Sequence, residues 1–100
     1  MERFRLTQLA FDDLKAIGLY TQTTWGQEQR NRYLSQLDQA FHWLAQHPQR
    51  GRSCDDIRTG YRKHHVGRHL IFYRTAQGFI EIVRILHASM DIEEHLGDSF

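Results

Sequence analysis

The chain's only proline, Pro48, separates two kinds of apolar pattern, and that division constrains the fold more than any other feature. Before it, Tyr33, Leu34, Leu37, Ala40, Phe41 and Leu44 recur with a period near 3.6, which predicts a helix over 27–47. His47-Pro48 stops that helix, because proline disfavours the helical region for the residue before it. A first helix is predicted over 8–25, with Ala10, Leu14, Ile17, Thr21 and Trp25 on one stripe and Gly26 at its end. The connection at Gly26 is short, so the helices should pack as an antiparallel hairpin.

After Pro48 the pattern changes. Residues 48–60 read as loop, rich in Gly, Ser and Asp. Residues 61–66 (YRKHHV) suit an exposed or edge strand, and 68–74 and 79–87 are stronger strands. Gly67 separates the first two, and Thr75 to Gly78 form a hairpin connection. At the start of the chain, alternation of Phe4 and Leu6 with charged neighbours predicts a short strand over 2–7, and from Ala88 the tail reads as weakly helical or irregular. The order β-α-α-β-β-β predicts a single α+β domain spanning 1–100, with the helical hairpin packed on one face of a small antiparallel sheet. Tracing chain direction through the hairpin makes the first strand antiparallel to an outer edge of the meander.

One hundred residues cannot bury a large core, which makes any second apolar face on a helix informative. The first helix has one: Leu9, Ala16, Leu19 and Tyr20 lie roughly opposite its main stripe. Trp43, about 120° off the stripe of the second helix, is grouped with them. Apolar patches of this kind mark partner sites, and a partner helix fits one as helix in groove. Charge is segregated too. Residues 48–86 hold eight Lys/Arg against three acids, and 87–100 hold four acids and no Lys/Arg. Arg58, Arg62, Lys63 and Arg68 are the candidate contacts to an acidic partner.

No apolar run approaches a membrane span, and the N-terminus lacks the apolar core of a signal peptide. With Cys54 as the single cysteine, these features predict a cytoplasmic protein. His64-His65 with His69 have the wrong spacing for one strand face, so no metal and no cofactor are expected. Cys54 reads as a loop thiol without a catalytic partner.

The pieces YTQTTWG (20–26), HPQRG (47–51), GYRKHHVGRHLIFYR (60–74) and IEIVRILHASMD (80–91), in this order and spacing, resemble the ParE family of toxins. That family lies within the superfamily that also contains the RelE messenger-RNA-cleaving toxins. The resemblance implies a ParD-like antitoxin that wraps and silences the chain in a hetero-oligomer. It implies DNA gyrase as the target and contact with operator DNA only through the antitoxin. A RelE-type ribonuclease is the alternative, and Arg84, His87 and Arg68 are its candidate residues. Such chemistry needs a base, an acid and cations around one phosphate. In a regular strand Arg84 and His87 point to opposite faces, and only a bulge would bring them together. A third reading is a regulatory module that has lost toxicity.

Overall fold

The computed structural model describes residues 3–90. Its elements are β1 (Phe4–Leu6), α1 (Gln8–Trp25), α2 (Gln27–Gln46), β2 (Arg52–Ser53), β3 (Tyr61–Val66), β4 (His69–Ala76) and β5 (Phe79–His87). Five strands form one sheet in the order β1-β5-β4-β3-β2, and the helices cover one face. The expected element order holds, with the two-residue β2 added. The tail expected to be weakly helical or irregular falls, beyond Met90, outside the described residues.

One expectation is corrected. β1 pairs with β5 in parallel, Phe4 opposite Ile80 and Leu6 opposite Ile82, so the sheet is mixed rather than antiparallel. The reason lies in the segment after Pro48. Instead of turning directly into β3, the chain runs back along the sheet edge as β2, antiparallel to β3. That return passage reverses the direction of every later strand relative to β1.

Apolar alternation sorts the sheet's two faces. Ile71 and Tyr73 of β4, with Ile80, Ile82 and Ile85 of β5, pack against Ala10 and Ile17 of α1 and Leu37, Phe41 and Leu44 of α2. Phe72, Val83 and Leu86 face the other way, where the turn after β2 covers them with Cys54 and Ile57. Cys54 is therefore buried in an apolar cluster, and burial pushes its thiol pKa up, where a polar loop position was expected. Val83 is the extra residue of a β-bulge, because Tyr73 pairs with Ile82 and Phe72 with Arg84. The bulge puts Ile82 and Ile85 on one face, which strict alternation forbids.

Thr7 ties three elements together at that bulge. Its hydroxyl caps α1 by accepting from the Ala10 N–H at 3.0 Å and donates to the Val83 carbonyl at 2.8 Å. Its own N–H donates to the Ile82 carbonyl at 3.0 Å. Where β1 ends, Asp13 of α1 takes over the open edge of β5, accepting from the Ile85 N–H at 2.9 Å. Trp25, expected on the buried stripe of α1, is 65% exposed. It is the last residue of the helix, and no core extends beneath it.

The turn between β3 and β4 is pinned from α2. The Tyr33 hydroxyl lies 3.1 Å from the Val66 carbonyl and 2.6 Å from His69 Nδ1, and accepts from the Arg68 N–H at 3.3 Å. Gly67 (φ 56°) fits beneath the ring; a Cβ there would sit 2.7 Å from Tyr33 Cε1. Burial lowers the pKa of His69 to about 4, aided by His87 and opposed by Asp13. The unfolded chain takes up this proton near the usual 6.5, so it gains protons first as pH falls. Stability is complete above that value and declines from there down through about 4. The expected loss is about 2 kcal/mol, read as a fall in urea midpoint between about pH 7 and pH 4. His69→Phe should flatten much of that slope.

Candidate functional site

Two exposed surfaces hold part of the sequence candidates, and Arg84 is drawn into a largely buried ion pair. The first surface is the outer face of α1. Leu9, Ala16, Leu19 and Tyr20 all lie on it, exposed, at spacings that keep them on one stripe of the helix. Leu19 is 68% and Tyr20 67% exposed, so the second apolar face is not buried by the hairpin. Ala10, Leu14 and Ile17 take the sheet side, and a Cβ added at Gly18 would meet Leu34 of α2 at 3.4 Å, an ordinary contact. Trp43 is set apart. It sits nine residues after Leu34, half a helical rotation away, on the flank of α2 that faces away from α1. There its ring lies 5.3 Å from that of His64 on β3 and 5.4 Å from that of His47.

The second surface is on the helix-free face of the sheet. Lys63 pairs across β3–β4 with Phe72, and His65 with Leu70, so both point away from the helices. Arg52 pairs with Lys63 across β2–β3 and shares that face. With Arg50, His64 and Ala88 these residues enclose a hollow of about 480 Å³. Leu70 and Ala88 form its apolar part. Among the described residues, Arg50, Arg52 and Lys63 make no ion pair.

The four basic candidates read from sequence divide accordingly. Only Lys63 lines this hollow. Arg62 is turned to the other face and spent on structure, donating to the Gly51 carbonyl at 2.8 Å and to Gln49 Oε1 at 2.7 Å. Arg58 lies over the Tyr61 ring, 5.8 Å from its centroid. Arg68 is exposed on the β3–β4 turn. Arg50, Arg52 and His65, which also line the hollow, were not among the candidates read from sequence.

The three nuclease candidates are not assembled. The Arg84 guanidinium forms a two-pronged pair with Asp13 of α1, Nε to Oδ2 at 2.8 Å and Nη2 to Oδ1 at 2.9 Å. Both side chains are 15% exposed, and the carboxylate holds the guanidinium pKa above its usual value. The bulge at Val83 precedes Arg84, so it does not bring Arg84 and His87 to one face. His87 instead stacks edge-on to His69 at 5.3 Å and accepts at Nδ1 from the Ser89 N–H at 3.1 Å. Among the described residues, no group of three or more His, Cys, Asp or Glu is placed to hold a metal ion. No described helix is long and apolar enough to cross a membrane.

Residues 4–92 match the family model described as the ParE toxin of the type II toxin-antitoxin system, parDE. The chain belongs to the ParE toxin family. Toxin ParE1 of Mycobacterium tuberculosis is 42% identical over 95 residues, covering 94% of this chain and 97% of that protein. Toxin ParE1 of Caulobacter vibrioides is 38% identical over 97 residues, covering 97% and 100%. In three dimensions the chain is similar to one from the chromosomal ParDE TA system of P. aeruginosa, with a TM-score of 0.74 at 21% identity. That match covers 87% of this chain and 96% of the other, so the two-helix, mixed-sheet architecture is the ParE fold. The family resemblance read from the motifs is thereby established, and this ParE chain is the toxin of a type II toxin–antitoxin pair.

Proposed function

We propose that this ParE toxin works by binding: it inhibits DNA gyrase, and a ParD-like antitoxin silences it by laying an amphipathic helix along the outer face of α1. The observation that carries this reading is the exposed stripe of Leu9, Ala16, Leu19 and Tyr20. A domain this small leaves such a face open only at a cost in solubility, and a partner helix is the occupant that matches its shape. Trp43 belongs to the contact only if the antitoxin wraps from α1 across α2 to the β3 flank. Basic contacts from Arg58, Arg62, Lys63 and Arg68 to acidic partner residues complete the proposal, with Lys63 and Arg68 the more available of the four. The complex acts in the cytoplasm as a hetero-oligomer, and DNA is reached through the antitoxin.

The ribonuclease alternative draws no support from the geometry around Arg84, whose guanidinium is committed to Asp13. A supercoiling assay with purified gyrase and the purified chain tests the target: inhibition is expected, and full supercoiling at saturating toxin would refute it. For the antitoxin, Leu19→Glu and Tyr20→Glu should each weaken binding about 10- to 100-fold, the cost of placing a carboxylate in an apolar interface. Circular dichroism should be unchanged, since both side chains point to solvent. Unaltered affinity with an intact fold would move the antitoxin site elsewhere.

A further inference from the structure

The helix-free face of the sheet carries a built feature that the α1 stripe does not explain. We propose that the hollow between β2, β3 and the end of β5 is a docking site for an extended, acidic segment of a partner protein, one with apolar side chains between its carboxylates. This deepens the reading of the toxin as a protein-binding protein, but its test reads neither gyrase nor the α1 face.

Four observations select that occupant. Arg50, Arg52 and Lys63 converge on the hollow, and among the described residues no acidic side chain lines it. None of these three cations has an ion-pair partner among the described residues, whereas Arg74, Arg84 and Arg32 all do. The two arginines present planar donor forks suited to carboxylates, and Leu70 with Ala88 supplies an apolar floor beneath them. Pairing of β2 with β3 covers only Arg62 and Lys63, so among the described residues no strand pairs with the outer edge of β3 from His64 to Val66. An extended segment can run along that edge with alternate side chains over the hollow.

Nucleic acid is the less suitable occupant. Among the described residues no Phe, Tyr or Trp lines the hollow, so none of them gives bases a stacking platform there. An apolar floor also matches a leucine-like side chain better than a sugar-phosphate backbone. Carboxylates set on either side of an apolar residue satisfy both halves of the surface at once.

Fluorescence anisotropy on the full chain at low salt tests the site. The probe is a short labelled peptide of alternating Glu and Leu with blocked ends. It should bind, and its Gln-for-Glu counterpart should bind about tenfold more weakly or worse. Lys63→Glu and Arg52→Glu should each cost about tenfold, while Lys15→Glu, the same charge change on α1, should stay within about twofold. Circular dichroism checks the fold, and Lys63→Gln and Arg52→Gln provide milder versions with the same expected direction. Equal losses for Lys63→Glu and Lys15→Glu would overturn the proposal, because only net charge would then be read. Displacement of the peptide by duplex DNA at lower concentration would overturn it in favour of phosphate. A full chain carrying D91N, E93Q, E94Q and D98N that binds the peptide tenfold tighter would assign the hollow to the chain's own acidic residues instead.

Discussion

Asp13→Ala is expected to remove about 3–4 kcal/mol of folding stability, a large share of the roughly 5–15 kcal/mol available to a domain of this size. The carboxylate receives three hydrogen bonds, two from the Arg84 guanidinium and one from the Ile85 N–H. Removing it takes the Asp13 carboxylate from a guanidinium that is 15% exposed, and the acceptor from a strand-edge N–H. The loss of that carboxylate dominates, since breaking one side of a largely buried pair costs more than the pair itself contributes. Asp13→Ala with Arg84→Met should therefore be more stable than Asp13→Ala alone. Urea denaturation of Asp13→Ala, Arg84→Met and the double variant measures this, and a loss under about 1 kcal/mol for Asp13→Ala would mean that water already solvates the pair. The same series separates two meanings of Arg84. If it holds α1 on β5, Arg84→Met lowers stability, and gyrase inhibition per folded molecule is unchanged. If it were a phosphate-binding cation, the folded protein would lose activity and keep its stability.

Sequence made the element types legible because each is a local consequence of apolar period. The 3.6-residue recurrence through Leu37, Phe41 and Leu44 specified α2, and alternation through Ile71 and Tyr73 specified one face of β4. What local period cannot carry is direction. β1 is parallel to β5 because residues 47–60 traverse the sheet edge before β3 begins, and nothing in a loop's composition states where it leads. The bulge at Val83 is equally silent. It is a single added residue whose effect is visible only against Phe72 and Tyr73 on the neighbouring strand.

The candidate surfaces follow the same divide. The α1 stripe was legible because helical rotation alone places Leu9, Ala16, Leu19 and Tyr20 together, and chain length argues that one face must stay open. The hollow was not. Arg50 comes from a loop, Arg52 from a two-residue strand, Lys63 and His65 from an edge strand and Ala88 from the turn after β5, so only the tertiary fold makes them neighbours. Reading the basic middle of the chain as one patch also left unseen that Arg62 is bonded to Gly51 and Gln49, which makes it less available than Lys63.

Gly51→Ala is the second large effect, expected at about 3 kcal/mol, and it joins the fold to that hollow. Gly51 is buried, and a Cβ there would sit 2.6 Å from Tyr73 Cε1, well inside contact distance. Tyr73 has no exposed surface and cannot swing aside. Its hydroxyl accepts from the Gly51 N–H at 2.9 Å and donates to the Pro48 carbonyl at 2.8 Å, so the return passage is fastened to the core at both ends of the segment 48–51. An added methyl must break that clamp or displace β4, and overpacking of this kind costs about 1–3 kcal/mol before the lost hydrogen bonds are counted. Tyr73→Phe should cost about 2 kcal/mol by leaving both backbone groups without their partner. The double variant should fall short of the sum, because each change destroys the same contact. Arg50 and Arg52 flank Gly51 directly, so loosening the clamp should also weaken acidic-peptide binding several-fold at a temperature where the variant is still folded. A Gly51→Ala protein with wild-type stability and undiminished peptide affinity would show that the loop is held by something other than Tyr73.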